Sequence, residues 1–205
     1  VDQTAISVFQ QQYFDNFRQA LEGIAATRNN EAIPYDAALE VALGWLLDLQ
    51  ARKGRIFVIG NGGSAGVASH LAVDFWKNGK ISAMAFNDGS LLTCLANDLA
   101  FEEVFAASIR QFGQQGDLAI CISSSGNSEN IVRGALAARD LGATVITCSG
   151  FDPGNRLRTL GDLNFYVPSH SYGIVETLHQ LIIHSLLDVK LHLKDGMDVF
   201  YKNRV

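Results

Sequence analysis

From Arg55 onward, five short apolar runs alternate with helical stretches: residues 56–59, 83–86, 118–122, 144–147 and 163–167. Runs this short and this continuously apolar are strands buried on both faces, and a helix between each successive pair makes the connections parallel. The pattern predicts an α/β fold, a doubly wound five-stranded parallel sheet flanked by helices. In such sheets ligands bind beyond the carboxyl ends of the strands. The chemistry is therefore sought in the loops that leave a strand for a helix.

Two of those loops stand out. Gly60-Asn61-Gly62-Gly63-Ser64 follows the first run, and Ser123-Ser124-Ser125-Gly126-Asn127-Ser128 follows the third. Small residues let backbone N–H groups approach an anion, hydroxyls add donors, and the following helix points its positive dipole end at the same place. Gly and Ser also make ordinary strand-to-helix turns, but two such loops at equivalent positions in one sheet favour a bound phosphate ester. Neither a G-x-G-x-x-G with a ribose-binding acid nor a G-x-x-x-x-G-K-[ST] is present, which argues against hydride transfer and nucleoside triphosphate chemistry. The net charge of −5 argues against a nucleic-acid groove, so anion affinity must be local.

Ahead of Arg55, Phe9, Tyr13, Phe17, Leu21 and Ile24 recur at helical spacing and predict an amphipathic helix. After Asn29-Asn30 and Pro34, a second helix over about 36–50 carries Leu39, Leu43, Trp45 and Leu46 and is apolar over much of its circumference. Such a helix is expected to be buried partly against another subunit. A charged fraction of 18%, against a typical value of about 25%, points the same way, to a homo-oligomer. Neither helix has a basic face, and no apolar run approaches the roughly 18 residues of a membrane span. No leader-like stretch opens the chain. Cys94, Cys121 and Cys148 lack metal-type spacing, and two lie inside apolar runs, which suits a reducing, cytoplasmic compartment.

His70 and Asp74 follow the first loop at i,i+4, a spacing that suits a metal clip, acid–base work or a plain surface contact. In the last helix, expected over 172–193, Glu176, Gln180 and His184 form one i,i+4,i+8 row, while His179 reads equally well as a hydrogen-bonded core residue. Eight residues of helix span about 12 Å, so Glu176 and His184 could share an ion only if it lay between them. Asn97 and Asp98 end a short apolar stretch as a helix terminus or a contact to a sugar hydroxyl. Two carboxylates and two imidazoles beside a phosphate cradle suit proton transfer next to the carbonyl of a phosphorylated sugar.

These motifs resemble the sugar-isomerase (SIS) domain family, and within it the phosphoheptose isomerases, over nearly the whole chain. The resemblance implies an aldose–ketose isomerase of sedoheptulose 7-phosphate and D-glycero-D-manno-heptose 7-phosphate, serving nucleotide-activated heptose synthesis. It also implies one zinc ion per site and a homotetramer with active sites at subunit interfaces. Asn61, Gly62, Gly63, Ser64, Ser123, Ser124, Ser125 and Ser128 would hold the substrate, the serines mainly its phosphate, and Asn97 and Asp98 would touch the sugar. Asp74 and His184 would be catalytic, Asp74 and Glu176 would also contact substrate, and His70, Asp74, Glu176 and His184 would bind the metal. Residues 1–54 would be an N-terminal helical oligomerisation segment, 55–193 the SIS sugar-phosphate-binding domain and 194–205 a tail.

Two residues depart from the family pattern: Asp74 stands where the family has Glu, and Glu176 where it has Gln. Asp is about one methylene shorter, and a misplacement of roughly 1 Å can cost on the order of a hundredfold in rate. Glu176 adds a charge that would strengthen divalent-cation binding. The family's Asp-Arg-Ile-Gln stretch is replaced by Gly173-Ile174-Val175-Glu176, with one residue fewer after Val167-Pro168. Those changes keep open an isomerase of a different phosphosugar and a non-catalytic SIS protein that binds a sugar phosphate or a protein partner.

Overall fold

The computed structural model describes residues 2–200; the last five residues of the expected tail lie outside the described residues. Helix α1 (Gln3–Glu22) is capped by the Asp2 side chain, which accepts from the Thr4 N–H. The helix stops before Ile24 because Gly23 closes it, its N–H donating to Gln19 O. Strands β1 (Ala25–Arg28) and β2 (Glu31–Ile33) then form a hairpin. Asn29 and Asn30 turn it with φ of 49° and 69°, the left-handed pair that a two-residue hairpin loop requires and that Asn tolerates. The first 54 residues are therefore not wholly helical. Helix α2 (Tyr35–Ala51) comes next and buries Ala38, Ala42, Leu46 and Leu49.

The five expected strands are present as β3 (Arg55–Ile59), β4 (Ser82–Met84), β5 (Leu118–Ser123), β6 (Thr144–Ser149) and β7 (Leu163–Tyr166). Among the described residues the sheet has seven strands in the order β2-β1-β7-β6-β5-β3-β4. The expected five are parallel, and β1 joins the edge antiparallel to β7, with Ala26 opposite Phe165. Covering that edge satisfies backbone groups of β7 that would otherwise be open to pairing with another chain.

Helices α3 (Gly63–Lys77), α4 (Gly89–Asp98), α5 (Val104–Phe112), α6 (Glu129–Asp140) and α7 (Tyr172–Leu193) complete the chain, with short 3-10 turns at Phe101–Glu103 and Arg156–Thr159. Two apolar layers form, one on each face of the sheet. Leu71, Phe75, Leu178, Ile182 and Leu186 pack with α2, α3 and α7 on one face, and Phe57, Phe105, Ile109, Ile131 and Ala135 with α5 and α6 on the other. The five parallel strands, numbered in their own chain order, run 2-1-3-4-5 across the sheet. Connections from the first and third leave in opposite directions, which opens a crevice at their carboxyl ends. Both Ser/Gly loops lie there.

Candidate active site

Asn61, Gly62, Gly63 and Ser64 from the β3–α3 loop face Ser123, Ser124, Ser125 and Ser128 from the β5–α6 loop across a cleft of about 240 Å³, closed by Ile122, Tyr172 and Glu176. All eight loop residues expected to hold the substrate therefore converge. Gly62 precedes α3 with φ +54° and offers no side-chain cap, and Ser128 precedes α6 without capping it. Both helices thus leave first-turn N–H groups free to meet an anion. Gly126 turns the serine loop with φ +65°. Its carbonyl accepts from the Leu157 N–H at 2.9 Å, and its N–H donates to Ser123 Oγ at 3.1 Å. The Ser124 hydroxyl is buried with no hydrogen-bond partner, an orphan that a ligand oxygen would satisfy.

One helix pair carries the second half of the site. Two turns into α3, His70 Nε2 lies 3.3 Å from Asp74 Oδ2, and His184 Nε2 of α7 lies 3.7 Å from the same oxygen. The two imidazole Nε2 atoms are 3.1 Å apart. Ligand atoms bonded to one tetrahedral zinc at 2.0–2.1 Å would sit about 3.3 Å from one another. The donor set of two imidazoles and a carboxylate, at these separations, fits a divalent cation. A further carboxylate, Asp188, stands one turn beyond His184; burial and the nearby Asp74 charge raise its pKa, with His184 opposing.

Glu176 does not join that group. It sits eight residues before His184, about 12 Å along the helix, and its carboxylate packs against Gly63 in the cleft. Of the four residues expected to bind a metal, the fold brings His70, Asp74 and His184 together and leaves Glu176 apart. Asp74 lies in that group and does not line the cleft. Asn97 and Asp98 also do not line it. They end α4 at the surface, where Asn97 Nδ2 donates to Asp98 Oδ1 at 2.8 Å and Cys94 Sγ to Asp98 Oδ2 at 3.5 Å. The helix-terminus reading of this pair is the one the chain itself displays.

Sequence reasoning missed Tyr172 as a wall of the cleft. The ring is held edge-on by Phe151 at 4.8 Å, and Phe151 stacks on His170 at 5.6 Å. Phe151 has φ +55°, a left-handed conformation costing a bulky residue about 1–3 kcal/mol. It is held there by its N–H donating to Ser169 O at 3.0 Å and by the Tyr166 hydroxyl donating to its carbonyl at 2.7 Å. No periodicity in the sequence signals a strained aromatic after a strand. Asn130, just past the second loop and not singled out from the sequence, exchanges two side-chain hydrogen bonds with the cleft residue Asn61. His179 is the core residue that one reading allowed: fully buried, with Nε2 donating to Ser149 O at 3.1 Å.

The sequence model of the SIS domain matches residues 12–150. The chain belongs to the SIS domain family. Within it, a phosphoheptose isomerase of Chromohalobacter salexigens is 34% identical over 189 residues, covering 88% of this chain and 94% of that protein. One from Aromatoleum aromaticum is 35% identical over 185 residues, covering 86% and 89%. A solved phosphoheptose isomerase from Neisseria gonorrhoeae aligns with a TM-score of 0.76 and 28% identity over 91% of this chain and 96% of that one. This SIS protein thus shares its fold and almost its whole length with phosphoheptose isomerases. Among the described residues no helix is long and apolar enough to cross a membrane.

Proposed function

We propose that this SIS protein is an aldose–ketose isomerase that interconverts sedoheptulose 7-phosphate and a D-glycero-D-manno-heptose 7-phosphate, for nucleotide-activated heptose synthesis. The observation that carries the reading is the arrangement on α3 and α7. Both helices leave the cradle side by side and bring His70, Asp74 and His184 together about 10–12 Å further along. A phosphate held at the cradle leaves the carbonyl end of an extended seven-carbon chain within reach of that group.

In this reading the free N–H groups of α3 and α6 and the hydroxyls of Ser64, Ser123, Ser124, Ser125 and Ser128 bind the phosphate dianion. Asn61, Gly62 and Gly63 line the same cradle, and Glu176 and Tyr172 border the carbon chain. Asp74 takes the proton from the carbon next to the carbonyl and returns it to the neighbouring carbon, while His184 gives a proton to the carbonyl oxygen and takes one from the adjacent hydroxyl, so both residues end as they began. Such acid–base work contributes about 10²–10⁴ in rate. His70, Asp74 and His184 would hold a zinc ion, which as a Lewis acid would polarise the carbonyl oxygen. A homotetramer with interface active sites, in the cytoplasm, completes the proposal, and it would give the exposed Asn97 and Asp98 the sugar of a neighbouring protomer to touch.

The test is turnover of sedoheptulose 7-phosphate by the purified chain, followed by NMR, after chelation and with zinc returned. Zinc-restored formation of a heptose 7-phosphate is the expected result. Tight phosphosugar binding without turnover would overturn the isomerase reading.

A further inference from the structure

We propose that Asn130 is a positioning residue that, with Asn61, braces the two uncapped helix N-termini of the cradle at a fixed separation. The inference rests on the phosphosugar-binding reading of the cleft. Asn61 Nδ2 donates to Asn130 Oδ1 at 2.8 Å, and Asn130 Nδ2 donates back to Asn61 Oδ1 at 2.9 Å. Asn61 is the residue before Gly62, which opens α3, and Asn130 is the second residue of α6. The pair therefore ties the first loop to the start of the other loop's helix, across 69 residues of chain.

Both helix starts carry partial positive charge of roughly half an elementary unit. Aimed at one point, they repel each other until an anion arrives. The reciprocal amide pair opposes that separation before any ligand is present. It keeps both hydrogen bonds if both amides flip together, since donor and acceptor exchange on each side, and it leaves one N–H on each side chain unused. Asn130 is 3% exposed and does not line the cleft, whereas Asn61 does. Asn130 thus acts on the ligand through Asn61 and through the spacing of the two amide arrays, so its loss should be read in anion affinity.

Removing Asn130 also strips Asn61 of both partners in a part-buried place, where unsatisfied amides are costly. The probe is inorganic phosphate, titrated calorimetrically into the intact protein, alongside kcat and KM for sedoheptulose 7-phosphate. In Asn130→Ala, phosphate affinity and KM should each worsen about tenfold, with the loss carried by KM and only a minor part by kcat. Asn61→Ala should behave alike, and the double variant should be no worse than the poorer single one, because one interaction is removed twice. Unchanged phosphate affinity in Asn130→Ala with only a lowered melting temperature would overturn the brace, as would losses that multiply in the double variant. If Asn130→Ala does not fold, Asn130→Ser is the substitute. Calorimetry needs no turnover: a wild-type protein that binds phosphate but converts no heptose would refute the isomerase reading and leave this test intact.

Discussion

Asp74 is the residue on which the histidine group converges: His70, one turn earlier on its own helix, places Nε2 at 3.3 Å, and His184 reaches across from α7 to 3.7 Å. Asp74→Asn and His184→Ala should each lower kcat by about 10²–10⁴ while leaving inorganic phosphate affinity close to wild type, which steady-state kinetics and calorimetry would check together. Gly63 makes the complementary case at the cradle. A Cβ there would run into the Glu176 carboxylate, the far end of a flexible side chain, so Gly63→Ala should fold with little change in melting temperature. The displaced carboxylate would then crowd the ligand and raise KM. A large drop in melting temperature with unchanged KM would contradict this placement of Glu176.

At the scale of an element, α7 does two jobs with two faces. One face buries Val175, Leu178, His179, Ile182 and Leu186 against the sheet, and the row of Tyr172, Glu176, Gln180 and His184 runs from the cleft to the histidine group. His179 is part of the first. Burial lowers its pKa from 6.5 to about 4, although the hydrogen bond to Ser149 O pulls the other way, and its Nδ1 is buried without a partner. The folded state keeps the ring neutral where the unfolded chain takes up a proton. This contribution to stability is therefore intact above pH 6.5 and declines as pH falls toward 4, by about 3 kcal/mol over that window. Melting temperature against pH should flatten across the same window in His179→Gln, whose side-chain amide can still donate to Ser149 O.

The whole molecule exposes apolar surface that one chain leaves uncovered. In α1 only Ala20 is buried, while Ile6, Val8, Phe9 and Phe14 are each more than half exposed. If those side chains pack between protomers, light scattering should give a mass near four times 22.2 kDa. A Phe9→Asp/Phe14→Asp double variant should then fall to a smaller species. A tetramer in that variant would remove α1 from the interface. Zinc should raise the melting temperature of the chelated protein by mass action, and His70→Ala should abolish the rise. A zinc effect that survives His70→Ala would place the ion elsewhere.

Local periodicity and local turn chemistry are what the sequence determined by itself. The five parallel strands, the bounds of α7 and the convergence of two Gly/Ser loops all come from apolar runs, small residues and the rule that parallel strands open at their carboxyl ends. Even the missed hairpin left a trace, since Asn29-Asn30 is a two-residue turn of the kind that joins antiparallel strands, but Ala25–Arg28 is too short and too mixed to declare itself a strand. Only tertiary structure decided the rest. The helical rise already set Glu176 apart from His184, but that its carboxylate lies against Gly63 follows from the packing of α7 beside the first loop. His70 and His184 are 114 residues apart and meet because α3 and α7 pack side by side. Asn61 and Asn130, or Phe151 and Tyr172, become partners through the placement of loops over a sheet, and sequence spacing does not encode distances set by packing.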